Sequence, residues 1–234
     1  MAEPSRRDPA VPEKGSSGCG CGGWIALAFV FLILAGVALG PINGNSHYYR
    51  TAQGFQTAHS LALAMFSYAN DHDGQYPEGK SSTEVFQQLL DEKYVSDPAI
   101  FFLKMPGKIK ADLGQKLKPE NVCFDVITPV DNRTPDTMPI LFSTGYRIDL
   151  TPGGAAVPRQ MYSGWTESPR PLSPEWERGR EGIAVAYKNN GSRFVHLQPA
   201  DPTHPQGSIP GFVPEDVDFQ GRVYRQLTPE GALP

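Results

Sequence analysis

Cysteine is scarce and poorly spaced for metal. The chain has three cysteines, Cys19, Cys21 and Cys123, and no Cys-x-x-Cys pair. Cys19 and Cys21, parted by a single glycine in SSGCGCGG, sit too close together to supply a four-ligand zinc site. The CGCGG stretch reads as a membrane-proximal spacer, with acylation or metal binding as alternatives. Cys123 stands alone in an apolar run and reads as a small core residue. The five histidines show neither HxxxH nor HExxH spacing. His59 reads as a packed or surface helix residue. No GxSxG, GxxxxGKS/T or SxxK motif is present. No block of Lys or Arg stands out, and 21 basic against 25 acidic residues give a net charge of −4. Nucleic acid is therefore not an expected partner. These absences leave no expected catalytic residue, metal, cofactor or small-molecule substrate.

Charge is also missing from one whole segment. WIALAFVFLILAGVALG, residues 24–40, runs 17 residues without a charged side chain. As a helix it is about 26 Å long. With Gly22, Gly23 and Ile42 it reaches across a bilayer core of about 30 Å. Apolar residues occupy every face, which argues against a buried soluble helix. A cleaved secretory signal fits less well, because the small-residue site Ala38-Leu39-Gly40 is followed by Pro41. A retained transmembrane helix over 24–42 is expected. Arg6, Arg7 and Lys14 precede it and only Arg50 follows closely. The positive-inside rule then places the N-terminus in the cytoplasm and the bulk of the chain outside it. Residues 1–23, rich in Pro, Gly and Ser, read as a disordered leader.

After Pro41 the apolar and small residues Tyr48, Ala52, Phe55, Ala58, Ala62, Met65 and Ala69 recur at gaps of three and four, which is a helical period. Leu61, Leu63 and Phe66 widen the stripe. The spacing predicts one long helix over about 24–71, with Pro41 and the NGNS run able to kink it. The stretch NDHDGQYP must end it. Asp73-Gly74 is a breaker pair, with Gly74 suited to the left-handed closing position. Tyr76, ahead of Pro77, is pushed to extended geometry. Asp71 and Asp73 are expected to steady the turn through their own backbone rather than work as an acid–base pair. Calcium is not expected here. With Gly74 as the sixth residue of an EF-hand loop, the first would be Ala69 and the twelfth Lys80, and neither is a ligand.

SSTEVFQQLLDEKYVSDP predicts a second helix capped by Ser81, with Glu84 three residues on. Val85, Phe86, Leu89, Leu90 and Lys93-Tyr94 fit its apolar face, and Pro98 bounds it. NVCFDVI (121–127) and MPILFSTGYRIDL (138–150) predict strands. GIAVAYKNNGSRFVHL predicts a hairpin turning on Asn190-Gly191. Pairing Asn189 with Ser192 sets Tyr187 opposite Phe194, and leaves Ala184, Ala186, Val195 and Leu197 on the face toward the long helix. From Pro199 onward seven prolines in 36 residues predict an irregular tail, 199–234.

In this order the elements resemble the type IV pilin-like superfamily, in particular pseudopilins of the type II secretion protein G kind. The shared motif is Tyr68, Asp71 or Asp73, Gly74, Tyr76 and Pro77, followed by the later strands. The resemblance covers about 24–198. It implies an α+β fold in which a long N-terminal transmembrane-plus-amphipathic helix packs on a small antiparallel sheet, forming an extracytoplasmic domain over 43–198. It also implies a structural or assembly role at the bacterial inner membrane, with membrane lipid, other pilin-like subunits or secretion machinery as partners. Peptidase processing would fall between Gly23 and Trp24. The family's glutamate at the fifth mature position is replaced here by Ala28. A non-polymerising anchored binding domain is the alternative.

Overall fold

The computed structural model describes residues 46–105, 107–159, 182–198, 202–204 and 207–233. The transmembrane segment 24–42, the leader 1–23 and the Gly23-Trp24 site lie outside these residues. Among the described residues no helix is long and apolar enough to cross a membrane.

The fold is α+β: two helices, two short 3-10 turns and an antiparallel sheet. Helix α1 spans Ser46–Asp71, and helix α2 spans Ser82–Asp91. The 3-10 turns are Pro98–Phe101 and Pro119–Asn121. The strands are β1 Phe124–Thr128, β2 Pro139–Ser143, β3 Tyr146–Ile148, β4 Ala156–Pro158, β5 Gly182–Tyr187, β6 Ser192–His196 and β7 Arg225–Leu227. Five of them form one sheet in the order β6-β5-β2-β1-β7, every pair antiparallel. The pair β3-β4 forms a separate two-stranded sheet.

The predicted stripe on α1 largely holds. Ala58, Leu61, Ala62, Met65 and Ala69 are buried, whereas Phe55, Leu63 and Phe66 remain 36%, 42% and 39% exposed. The side chains of Tyr48 and Ala52 lie outside the described ones. Each fully buried Leu or Met contributes about 2 kcal/mol. The helix lies close on the sheet because Gly54 faces Ala184: a Cβ on Gly54 would stand 3.4 Å from that of Ala184.

α2 begins as predicted. The Ser81 hydroxyl accepts the Glu84 N–H at 3.2 Å, and the Glu84 carboxylate accepts the Lys80 N–H at 2.8 Å. It ends earlier than predicted. Lys93 takes a left-handed conformation (φ 65°), so Lys93 and Tyr94 leave the helical face instead of extending it. Phe86 stacks on Phe101, ring centroids 4.8 Å apart, beneath the sheet's helix-covered side.

Three strand expectations change. The run 138–150 breaks at Thr144-Gly145, where β2 stays in the large sheet and β3 leaves it. The hairpin closes through a three-residue loop, Lys188–Asn190, with Tyr187 N–H donating to Gly191 C=O at 2.8 Å. Only Asn190 of the Asn190-Gly191 pair is left-handed (φ 61°). The register is therefore Ala184 opposite Phe194 and Ala186 opposite Ser192. Ala184, Ala186 and Phe194 face the helix, and Val195 and Leu197 turn to the other side. The register is off by an odd number of residues, which exchanges the faces of β6. Finally, the tail 199–234 is not irregular throughout. It adds β7 at the sheet edge and buries Ile209, Phe212, Val213, Val217 and Tyr224 against the face opposite the helices.

Candidate functional site

Two polar constellations stand out, one at the head of α1 and one inside the fold. The first is built by the motif Tyr68–Pro77. α1 closes as Gly74 N–H donates to Ala69 C=O at 2.8 Å, with both Asp73 (φ 52°) and Gly74 (φ 81°) left-handed. Two successive left-handed residues turn the chain sharply, and glycine bears that conformation without strain. A Cβ there would also meet the tip of the exposed Asn132 side chain, which would have to turn aside. The next residues are extended, and Tyr76 N–H donates to Val130 C=O at 3.1 Å. Tyr76 and Pro77 are buried, and burial raises the Tyr76 hydroxyl pKa.

The outer side of this turn is aromatic and charged. Tyr68 and His72 stack face to face with ring centroids 3.8 Å apart. His72 Nδ1 donates to Tyr68 C=O at 2.8 Å, which places the ring N–H. Its Nε2 lies 3.2 Å from Glu92 Oε2. The Tyr94 hydroxyl donates to Asp71 Oδ2 at 2.7 Å, and that bond pushes the Tyr94 pKa up to about 12. So Asp71 does not steady the turn through its own backbone, as expected. It ties the end of α1 to the chain leaving α2. The polar groups of this cluster pair with one another, His72 with Tyr68 and Glu92 and Asp71 with Tyr94. Among the described residues no cluster of His, Cys, Asp or Glu could hold a metal ion.

The loop facing the turn is braced from two sides. Lys188, next to the hairpin turn, donates to Asn132 C=O, Thr134 C=O and Asp136 Oδ1. Arg222, from the tail, makes a two-pronged pair with Asp131, Nη1 to Oδ1 at 2.6 Å. The Arg222 guanidinium holds the Asp131 carboxyl down at about 2. Asn190 C=O is 3.0 Å from His59 Nδ1. The motif and the hairpin turn thus meet at one end of the domain, through loop 129–136.

The second constellation was not legible beforehand. Asp125 on β1 is fully buried on the face away from the helices. Its Oδ2 accepts Gln226 Nε2 at 2.6 Å and lies 3.7 Å from Arg159 Nη2. Burial raises its pKa to about 6 against the opposing pull of Arg159. Gln226 also donates to Tyr146 C=O and accepts the Ile148 N–H. In this way a tail side chain supplies β3 with the backbone partners that a neighbouring strand would. Asp125 and Gln226 are 101 residues apart, and no local pattern links them. The role of this group is to seat the β3-β4 pair on the main sheet. Cys123 is likewise structural: it is buried, its thiol donates to Leu103 C=O at 3.3 Å, and burial pushes its pKa up to about 11.

No protein-family model, curated protein or solved structure matches the chain.

Proposed function

We propose that this chain is a non-enzymatic, single-pass membrane protein whose pilin-like head serves a structural or assembly role, in the manner of a pseudopilin of a type II secretion or pilus-like system. One observation carries the reading. α1, which follows the charge-free run 24–40 in the chain, lays its small-residue face on an antiparallel sheet and ends in the Tyr68–Pro77 turn. The motif turn ties the end of α1 to the chain leaving α2 through Asp71–Tyr94 and to loop 129–136 through Tyr76–Val130, a fixed junction inside the head. Assembly would use the flank of α1 where Phe55, Leu63 and Phe66 stay exposed.

A second reading, an anchored binding domain that does not polymerise, is favoured by Ala28. An intramembrane carboxylate is costly and is kept where it has a task, and the span has none. Chemical cross-linking in native membranes separates the two: ladders of the chain with itself or with other pilin-like subunits are expected for assembly. A lone monomer band sinks assembly and leaves the second reading. Intact mass of membrane-extracted protein tests processing. Loss of residues 1–23 is expected for cleavage between Gly23 and Trp24, and a full-length mass excludes it.

A further inference from the structure

The stretch KMPGKIKADLGQKLK, residues 104–118, carries five lysines against one acidic residue, Asp112. With +4 in this stretch and −4 overall, the rest of the chain carries −8. The lysines are spaced by small and apolar residues, so no block stands out along the sequence. The structure turns four of them outward, Lys104, Lys110, Lys116 and Lys118; the Lys108 side chain is buried with its Nζ 3.8 Å from Glu230 Oε1, and Lys118 Nζ lies 4.0 Å from Glu120 Oε1. Two aliphatic side chains share the exposure, Ile109 at 58% and Leu113 at 74%.

The stretch is held firmly at its base. Ile109 N–H donates to Glu120 C=O at 2.9 Å, Asn121 Nδ2 to Ile109 C=O at 3.1 Å, and Leu117 N–H to Gln87 Oε1 at 2.8 Å. Lys108 Nζ donates to Pro119 C=O at 2.8 Å. Ala111 and Leu117 are buried and root it in the helix-side core. What projects over 107–118 presents lysine and aliphatic groups together.

We propose that loop 107–118 is a peripheral membrane contact, in which Lys110, Lys116 and Lys118 meet anionic phospholipid headgroups and Ile109 and Leu113 enter the interfacial layer. Lysine is a compact point charge suited to a headgroup phosphate. Aliphatic tips beside it match interfacial docking. The stretch has no arginine and no aromatic residue, the side chains that stack on nucleic-acid bases. The proposal rests on the anchored reading for proximity: a head tethered by 24–42 stays near the bilayer, so a weak contact suffices.

The test uses the full chain with vesicles of phosphatidylcholine alone or with added phosphatidylglycerol, reading flotation and amide hydrogen exchange over 107–118. Exchange there is expected to slow several-fold with phosphatidylglycerol and to recover at high salt. Lys110→Gln, Lys116→Gln and Lys118→Gln should each weaken the effect, by about fivefold per lysine at low salt. Leu113→Ser should weaken it while leaving the thermal midpoint unchanged. Equal exchange on both vesicles overturns the proposal. Slowing by polyglutamate or an oligonucleotide as strong as that by phosphatidylglycerol overturns the assignment to lipid. A chain that floats only with phosphatidylglycerol rejects the anchor and keeps the loop contact. One that floats with both and exchanges alike rejects the loop contact and keeps the anchor, and one that floats with neither overturns both.

Discussion

The five-stranded sheet has two covers, and they are built in different ways. On one face lie α1 and α2, which bury Ala58, Leu61, Met65, Val85, Phe86 and Leu89 at helical spacing. On the other lie β3-β4 and the C-terminal segment, which bury Ile148, Ala156, Ile209, Phe212, Val213 and Val217 with no period at all. A helix satisfies its own backbone, so that cover needs only a side-chain stripe. The irregular cover must find a partner for each backbone group. Ile209 and Ala156 exchange both of their hydrogen bonds, Val213 N–H donates to Gly154 C=O, and the Gln226 side chain serves β3. Periodic cover is cheap to specify, whereas aperiodic cover depends on many individual pairings.

The sharpest way to break this comparison is to remove the second cover. Deleting 207–234 takes away β7, Gln226 and the apolar residues of that face. With a total stability on the order of 5–15 kcal/mol, cooperative unfolding is expected to vanish in a circular-dichroism melt. A normal melt would mean that the segment merely decorates the sheet.

Leu61→Ala and Phe212→Ala weigh the covers against each other. Both side chains are fully buried, and Phe212 meets Phe142 edge-on at 5.7 Å. Each variant is expected to lose about 3 kcal/mol in urea titration. A Phe212→Ala loss below about 1 kcal/mol would mark the aperiodic cover as loosely attached.

Asp125 sharpens the polar side of the difference. Its folded pKa is raised from 3.8 to about 6. The folded state therefore keeps a proton that the unfolded state has already released. Its contribution to stability is fully present below about pH 4 and falls by about 2 kcal/mol as pH rises from 4 to 6. Asp125→Asn is expected to flatten this fall without losing stability at pH 7. A clear loss there would mean that Arg159 attracts the ionised carboxylate more than burial repels it. Asp131 behaves oppositely: its pKa is lowered to about 2 by Arg222, so its stabilising pair is lost as pH drops from about 4 to 2.

Smaller effects follow at the head of α1. Gly74→Ala meets both the left-handed φ and the Asn132 side chain, for an expected cost of about 1–2 kcal/mol in thermal melts. Asn132→Ala in the same chain should recover part of it, since only the collision is relieved. At the bottom of the scale, Leu63→Gln and Phe66→Gln on the exposed flank should change stability by less than about 0.5 kcal/mol. A larger loss would place that flank inside the folded domain's own core.

The periodic cover was legible because its signals are local. The stripe on α1, its end at Asp71, the Ser81 cap and the strands around 124–128 and 139–143 all follow from neighbours within a few residues. The hairpin register was not legible, because β5 reads GIAVAY, apolar on both faces, so either pairing buries a comparable set. Asn189-Asn190-Gly191 permits more than one loop, and the close pairing of Tyr187 with Gly191 selected the three-residue one. The C-terminal segment was misread because prolines break regular structure but do not prevent burial. The lysines of 104–118 were overlooked because spacing hides a patch that only the folded loop gathers.

The apolar run 24–40, the helix-then-strand order, the α+β class and the turn at Gly74 can be read from the chain alone. Local sterics, capping and periodicity decide these wherever the chain goes. The tertiary structure alone decided which face of β6 meets α1, that the C-terminal segment closes the sheet, and that Asp125, Arg159 and Gln226 meet. Those depend on which distant segments exclude water together, a property of the packed whole that no short window contains.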